Sequence, residues 1–345
     1  MQFLNNKLDK NKLIELLRSR GYEQQLLFQS AFEIKKQYFD NVVHPRGVLE
    51  ISNHCQLNCL YCGMRIDNKA LSRYRMKWRE ILQSALLMEG LGVKSIMLQS
   101  GDDYLFPINE LVEIIRVIRK ETNLQVILCL GERRKSDLEK MLMAGASSYI
   151  LKLETINPLL FKQLRPETSF ERRLELLMYM KSLGYKTSSG FIVGLPGQSI
   201  DELVEGLMIL KEIQVDNASV SPFIPNDGSP LKNNPFGDLE LSLNMVAVMR
   251  ILLRNINIPS VSAFSVLSDE GQVRGFNAGS NVITINFSPV ENLENYIIYT
   301  SKRKIVSIEN AKEIIIKSGL TSDIITKKLT KIKDGCFQKH HTVNF

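Results

Sequence analysis

Apolar and polar positions along the chain alternate between two periods. Short apolar runs at residues 47–53, 95–99, 125–130, 148–153, 187–193, 217–222, 259–264 and 282–287 read as strands, because runs of this length without polar alternation suit strands buried on both faces. Segments with a 3.6-residue period lie between them, among them WREILQSALLMEGLG, INELVEIIRVIRKE and IDELVEGLMILKEI. Strand–helix alternation implies parallel βαβ units. Eight strand candidates predict an α/β fold, a complete (β/α)8 TIM-type barrel, with an open doubly wound sheet as the competing arrangement. Two amphipathic segments, at about 10–20 and 24–39, precede the first strand. The domain expectation is therefore an N-terminal helical cap over 1–45, a barrel over 46–290 and a helical C-terminal extension over 291–345 packed on it. In either fold the functional site lies at the carboxyl ends of the strands.

Composition narrows the class. With 345 residues and 44% hydrophobic content the chain can build a substantial core. No run approaches the roughly 18–20 apolar residues that span a bilayer, and the charges of MQFLNNKLDK follow no apolar stretch. The expectation is an unprocessed cytoplasmic protein without a membrane partner. Five cysteines, three of them crowded into one segment, make a poor disulfide framework and suit a reducing compartment. A net charge of +7 permits nucleic-acid binding without arguing for it, and no such partner is expected. The basic runs SKRK at 301–304 and KKLTKIK at 327–333 read as solvated helix faces.

The sharpest chemical signal is HCQLNCLYCGM, which places Cys55, Cys59 and Cys62 on the loop after the first strand. A [4Fe–4S] cluster takes four ligands, so three cysteines leave one iron open to another molecule. Structural zinc is the alternative and would recruit His54 as a fourth ligand. Adjacent residues in extended chain point opposite ways, which counts against His54 and Cys55 sharing an ion. Buried thiols without a metal are a third reading.

The pattern Cys55-x3-Cys59-x-Tyr61-Cys62 resembles the signature of the radical S-adenosylmethionine (SAM) superfamily. The resemblance implies one [4Fe–4S] cluster whose open iron chelates SAM, and reductive cleavage of SAM to methionine and a 5′-deoxyadenosyl radical. Further motifs follow in order. Residues 99–103, QSGDD, resemble the segment that receives the methionine amino group, with Ser100, Gly101 and Asp102 at the matching positions. Glu154 stands where relatives bind the SAM ribose, and a carboxylate accepts from both hydroxyls. Arg173 resembles the arginine that pairs with the SAM carboxylate, although its neighbour Arg172 is exchangeable with it at this level. Residues 190–197, GFIVGLPG, resemble the glycine motif that meets the adenine through Ile192 and Gly194. Taken singly, these motifs also read as a polar turn, a helix N-terminal acid, a solvated arginine and a tight turn.

The segments NKALSRYRM, LETINPLLFKQLRPETSFERRL, GLPGQSIDELV and PFIPNDGSPL narrow the resemblance to the maturases of [FeFe]-hydrogenase, and more distantly to biotin synthase and methylornithine synthase. This implies a small iron dicarbonyl cyanide cysteine complex as substrate. It also implies a low-potential electron donor, ferredoxin or flavodoxin, and other hydrogenase maturation proteins as partners. Gln99, Lys152 and Ser262 are candidate substrate contacts, against a bland reading as barrel lining. Three positions depart from the maturase pattern: Lys152 stands for arginine, Val261-Ser262 for two threonines, and Asp102 for glutamate. Radical chemistry on an amino-acid skeleton therefore stays open. Only Cys336 lies where some maturases carry a second cluster, so a single cluster is expected, and Cys129 is expected to be a core thiol.

Overall fold

A computed structural model describes residues 8–299 and 303–326. The expectations for Cys336 and for residues 327–333 lie outside the described residues. Helices α1 (Lys10–Arg18) and α2 (Gly21–Phe39) come first, then β1 (His44–Ser52), α3 (Trp78–Gly90), β2 (Ser95–Ser100), α4 (Ile108–Glu121) and β3 (Gln125–Cys129). Next are α5 (Lys135–Met143), β4 (Ala146–Ile150), α6 (Pro158–Leu164), α7 (Phe170–Ser182), β5 (Lys186–Val193), α8 (Ile200–Ile213) and β6 (Asn217–Pro222). The described chain ends with α9 (Leu239–Leu253), α10 (Phe264–Leu267), α11 (Gly271–Asn277), β7 (Val282–Asn286), α12 (Val290–Leu293), α13 (Ile308–Lys317) and α14 (Asp323–Thr326).

The strands form one parallel seven-stranded sheet in the order β6-β5-β4-β3-β2-β1-β7. That order follows the chain except that β7 returns beside β1, so the sheet curls back on its own beginning. The strand expected over 259–264 does not form. Proline lacks the N–H that a ladder needs, so Pro259 makes only an isolated bridge to Val282, and Asn257 makes another to Asn217 of β6. From residue 261 the chain turns into α10 instead, with Phe264 N donating to Val261 O at 3.1 Å.

Helices cover the outer face, where Ile81, Leu111, Met141, Leu177 and Leu207 are buried against strand residues. A separate, smaller cluster fills part of the inside, with Val48, Met97 and Ile150 packed against Ile127 and Cys129. This double coverage is why the strand sequences read as near-continuous apolar runs. The two N-terminal helices form as expected, α1 capped by Asp9, whose side chain accepts from Lys12 N. Leu13, Leu16, Leu17, Leu27 and Ile34 point inward from them. No described helix is long and apolar enough to cross a membrane.

Candidate functional site

Residues 53–76, between β1 and α3, contain no regular element, so side chains must satisfy their backbone groups. Asn53 joins the two ends of this loop: its Nδ2 donates to Ser72 O and its Oδ1 accepts from Tyr74 N at 2.7 Å. Arg73 donates to the carbonyls of Asn53, Met64 and Arg65 at 2.6, 2.8 and 2.7 Å, clamping the loop around its own guanidinium. The loop thus holds Cys55, Cys59 and Cys62 on the wall of one cavity of about 380 Å³.

All three thiols are free, Cys59 buried and the other two half-buried. Burial first, and then nearby negative groups, push Cys55 up to about 11; burial also raises Cys59 and Cys62. Binding iron must therefore expel their protons, and a cationic cluster offsets the repulsion among three thiolates. Among the described residues no three His, Cys, Asp or Glu groups converge where a single metal ion would sit. His54 is absent from the cavity lining, which leaves the single-zinc reading without its fourth ligand. Three sulfur donors spread around one cavity fit a cluster that takes three cysteines.

The second wall comes from the end of β2. Gly101 passes so close to the thiol loop that a Cβ there would lie 2.3 Å from His54 O and 2.8 Å from Cys55 Cβ. Asp102 is buried and its Oδ1 accepts from Glu132 N at 2.8 Å, while burial raises its carboxyl. Gly131 (φ +72°) lets the backbone press on that carboxylate, where a Cβ would approach within 2.4 Å.

Glu154 follows β4 with φ 66°, a conformation L residues rarely adopt. Its backbone is fixed on both sides by β5: Glu154 N donates to Gly190 O, and Ile192 N donates to Glu154 O, each at 3.0 Å. Its buried Oε2 has no hydrogen-bond partner, although Lys152 Nζ lies 3.1 Å away without alignment. An orphaned carboxylate oxygen in a cavity wall fits a hydroxyl-bearing ligand.

Arg173 lies buried in the same wall, its Nε donating to Lys152 O at 2.5 Å and its Nη1 to Glu132 Oε1 at 2.9 Å. The Arg172 side chain is 68% exposed, so the two arginines are not interchangeable. After β5, Gln198 ties the glycine turn together, accepting from Gly194 N and donating to Ile192 O, each at 2.9 Å. The thiols, Tyr61, Gln99, Ser100, Gly101, Asp102, Lys152, Glu154, Arg173, Ile192 and Ser262 all line the cavity, whereas His54, Arg172 and Gly194 do not, Gly194 shaping the turn beside it.

Other residues were not anticipated. Arg165 is buried beside Cys59 and donates to the Tyr61 hydroxyl at 2.7 Å. Its only sequence signal is a charge in an apolar helix end, α6. Arg303 belongs to the SKRK run read as a solvated helix face. Instead it sits in no helix and grips Glu50 of β1 through both nitrogens at 2.6 and 2.7 Å, lining the cavity. Tyr299 joins it and shares a 2.9 Å hydrogen bond with Ser262. Glu132 and Arg133, which the sequence offers either at the cavity mouth or on a surface loop, are instead buried and outside the lining, and Glu132 orients Arg173 from behind the wall. Cys129, expected in the core, faces the cavity; burial raises its thiol to about 11.

Residues 49–207 match the radical SAM superfamily. The chain is 44% identical over 286 residues to the [FeFe] hydrogenase maturase subunit HydE of Thermotoga maritima, covering 83% of this chain and 82% of that protein. It is 26% identical to 3-methylornithine synthase of Methanosarcina barkeri, covering 84% and 82%. The crystal structure of a methylornithine synthase superposes with a TM-score of 0.82 at 25% identity, covering 92% of this chain and 95% of that one. Three thiols on the loop after the first strand, a parallel curled sheet around them and this degree of identity agree: the chain belongs to the radical SAM superfamily, as a homologue of HydE that shares the superfamily's [4Fe–4S] cluster and SAM.

Proposed function

We propose that this protein is a maturase of the HydE type, acting on a small iron complex that carries cysteine, carbonyl and cyanide ligands. One observation carries the reading: a single cavity joins the three thiols to a wall bearing Lys152, Gln99 and Ser262. A small anion needs such cationic and hydroxyl groups in the wall of its chamber. When bound, the cluster supplies the electron that releases the 5′-deoxyadenosyl radical from SAM.

Around that chemistry each residue has its own task. Cys55, Cys59 and Cys62 hold the cluster, and Tyr61 is kept in place by Arg165. Ser100, Gly101 and Asp102 receive the methionine amino group, Arg173 its carboxylate and Glu154 the ribose hydroxyls. Ile192 and the turn at Gly194 meet the adenine. The 257–260 segment serves as the eighth stave, closing the (β/α)8 barrel over 46–290, with the described residues of the cap (8–45) and of the extension (291–299 and 303–326) packed on it. The setting is cytoplasmic, with a ferredoxin or flavodoxin as electron donor.

A second reading, radical chemistry on an amino-acid skeleton, is supported by the likeness to methylornithine synthase and by the lysine at 152, a point charge where an arginine would offer a fork. Formation of 5′-deoxyadenosine by the reduced protein separates the two. Acceleration by the cysteine-ligated iron complex supports the maturase. Acceleration by free amino acids alone would replace that reading with the second.

A further inference from the structure

The Lys152–Glu154 pair differs from the other ion pairs of the cavity. Arg303 is held to Glu50 through two nitrogens, and Arg173 to Glu132 behind the wall. Lys152 is paired with the carboxylate that is itself aimed at a ligand. The ammonium stands 3.1 Å from Glu154 Oε2, yet that oxygen receives no hydrogen bond. Both side chains are mostly buried, 21% and 13% exposed, so water screens the pair only in part.

Mobility is unequally divided between the partners. The Glu154 backbone is bonded on both sides to β5. The Lys152 backbone is fixed too, because its carbonyl accepts from Arg173 Nε at 2.5 Å and the next residue, Leu153, donates to Ser189 Oγ at 3.2 Å. What remains free is the four-carbon lysine stem, whose compact charge can swing where a planar guanidinium would stay committed.

We propose that Lys152 is a positioning residue that couples the two halves of the cavity: ligand hydroxyls arriving at Glu154 release its ammonium, which then holds an anionic substrate. This rests on the assignment of Glu154 to the SAM ribose. Before SAM binds, the ammonium is spent on Glu154 and is withheld from an incoming carboxylate. Once ribose hydroxyls donate to the Glu154 oxygens, the ammonium turns to the substrate. SAM and substrate then favour each other's binding by the same factor, as linkage requires.

The test uses the holoprotein with its cluster oxidised, so that SAM binds without being cleaved. Calorimetry measures two probes, the cysteine-ligated iron complex and a set of free α-amino acids (cysteine, lysine, ornithine), with and without saturating SAM. In the wild type at least one probe should tighten about tenfold or more with SAM, and SAM should tighten equally with that probe. Lys152→Arg should keep the charge yet lower the coupling factor below that of the wild type, since a planar guanidinium stays committed to Glu154. Lys152→Met should bring the factor to about one while SAM alone binds no more weakly than to the wild type. A factor that survives in Lys152→Met, a factor of one for every probe in the wild type, or no probe binding at all would overturn the proposal. Coupling with amino acids but not with the iron complex would support the shared cation and overturn the maturase reading.

Discussion

Glu154 combines three features that rarely meet in one residue: a left-handed backbone, a buried carboxylate oxygen without a donor, and a cation 3.1 Å away that is not aligned with it. The backbone strain costs on the order of 1–3 kcal/mol and persists only because β5 bonds fix it on both sides. Arg173 is placed in a complementary way, its Nε and Nη1 anchored to Lys152 O and Glu132. Arg173→Ala should leave the cluster in place and weaken SAM binding about tenfold or more, the loss expected for a charged hydrogen-bonded contact. Equilibrium binding checks this, and an Arg173→Ala protein with full SAM affinity would remove the residue from the cofactor site. Cys59→Ala should instead lose the cluster, read as iron and sulfide per chain after anaerobic reconstitution. Full occupancy in that variant would show that Cys59 is not a ligand. At this scale the sequence was informative where chemistry is local, as in the cysteine spacing. It was silent on Arg165 and Arg303, because the partners that bury them, Tyr61 and Glu50, lie far away along the chain.

At the scale of elements, the thiol loop and the end of β2 are one unit. Gly101 N donates to Ser52 O at 3.2 Å, Gln56 N donates to Asp102 O at 3.1 Å, and the missing Cβ of Gly101 is what allows this approach. Gly101→Ala would drive a methyl into His54 O and Cys55 Cβ. The expected result is local overpacking of about 1–3 kcal/mol that displaces Cys55, so iron incorporation falls while the far-ultraviolet circular dichroism stays that of the wild type. Unchanged iron content would mean that the loop can yield without disturbing its ligand. The elements most legible in the sequence were those with a sustained period, such as α4, whose buried residues Leu111, Ile114, Ile115 and Ile118 follow the helical repeat. The expected strand at 259–264 failed because the apolar content of IPSVSAF is compatible with a strand, whereas Pro259 and the early turn into α10 prevent a ladder.

The whole molecule carries an electrostatic cost away from its chemistry. Lys35 of α2 is fully buried, its Nζ without a hydrogen-bond partner and 4.7 Å from the centre of the Phe32 ring. Burial, and then the charge of Arg250, push its ammonium from 10.5 down to about 8. Between those two values the unfolded chain binds the extra proton, so stability rises with pH across that window. Below it, both states are charged and the full penalty of burying the cation remains. Lys35→Met should therefore stabilise the fold at neutral pH, by an amount on the order of 3 kcal/mol. It should also flatten the rise of melting temperature between about pH 8 and pH 10. An equal slope in both proteins would show that Lys35 keeps its proton. A charge in the middle of an amphipathic helix gave no warning of this, since burial depends on α2 packing against α9, more than 200 residues away. The parallel pairing of the strands, by contrast, followed from the alternation of periods alone.

The central claim is that one cavity serves SAM and a small iron complex together. Electron paramagnetic resonance tests it most directly, on anaerobically reconstituted protein reduced with dithionite and frozen with SAM, with and without the cysteine-ligated iron carbonyl cyanide complex. The account predicts a new iron-centred radical only when both are present, with 5′-deoxyadenosine formed alongside it. Deoxyadenosine formed at the same rate with or without the complex, and no new signal, would contradict it.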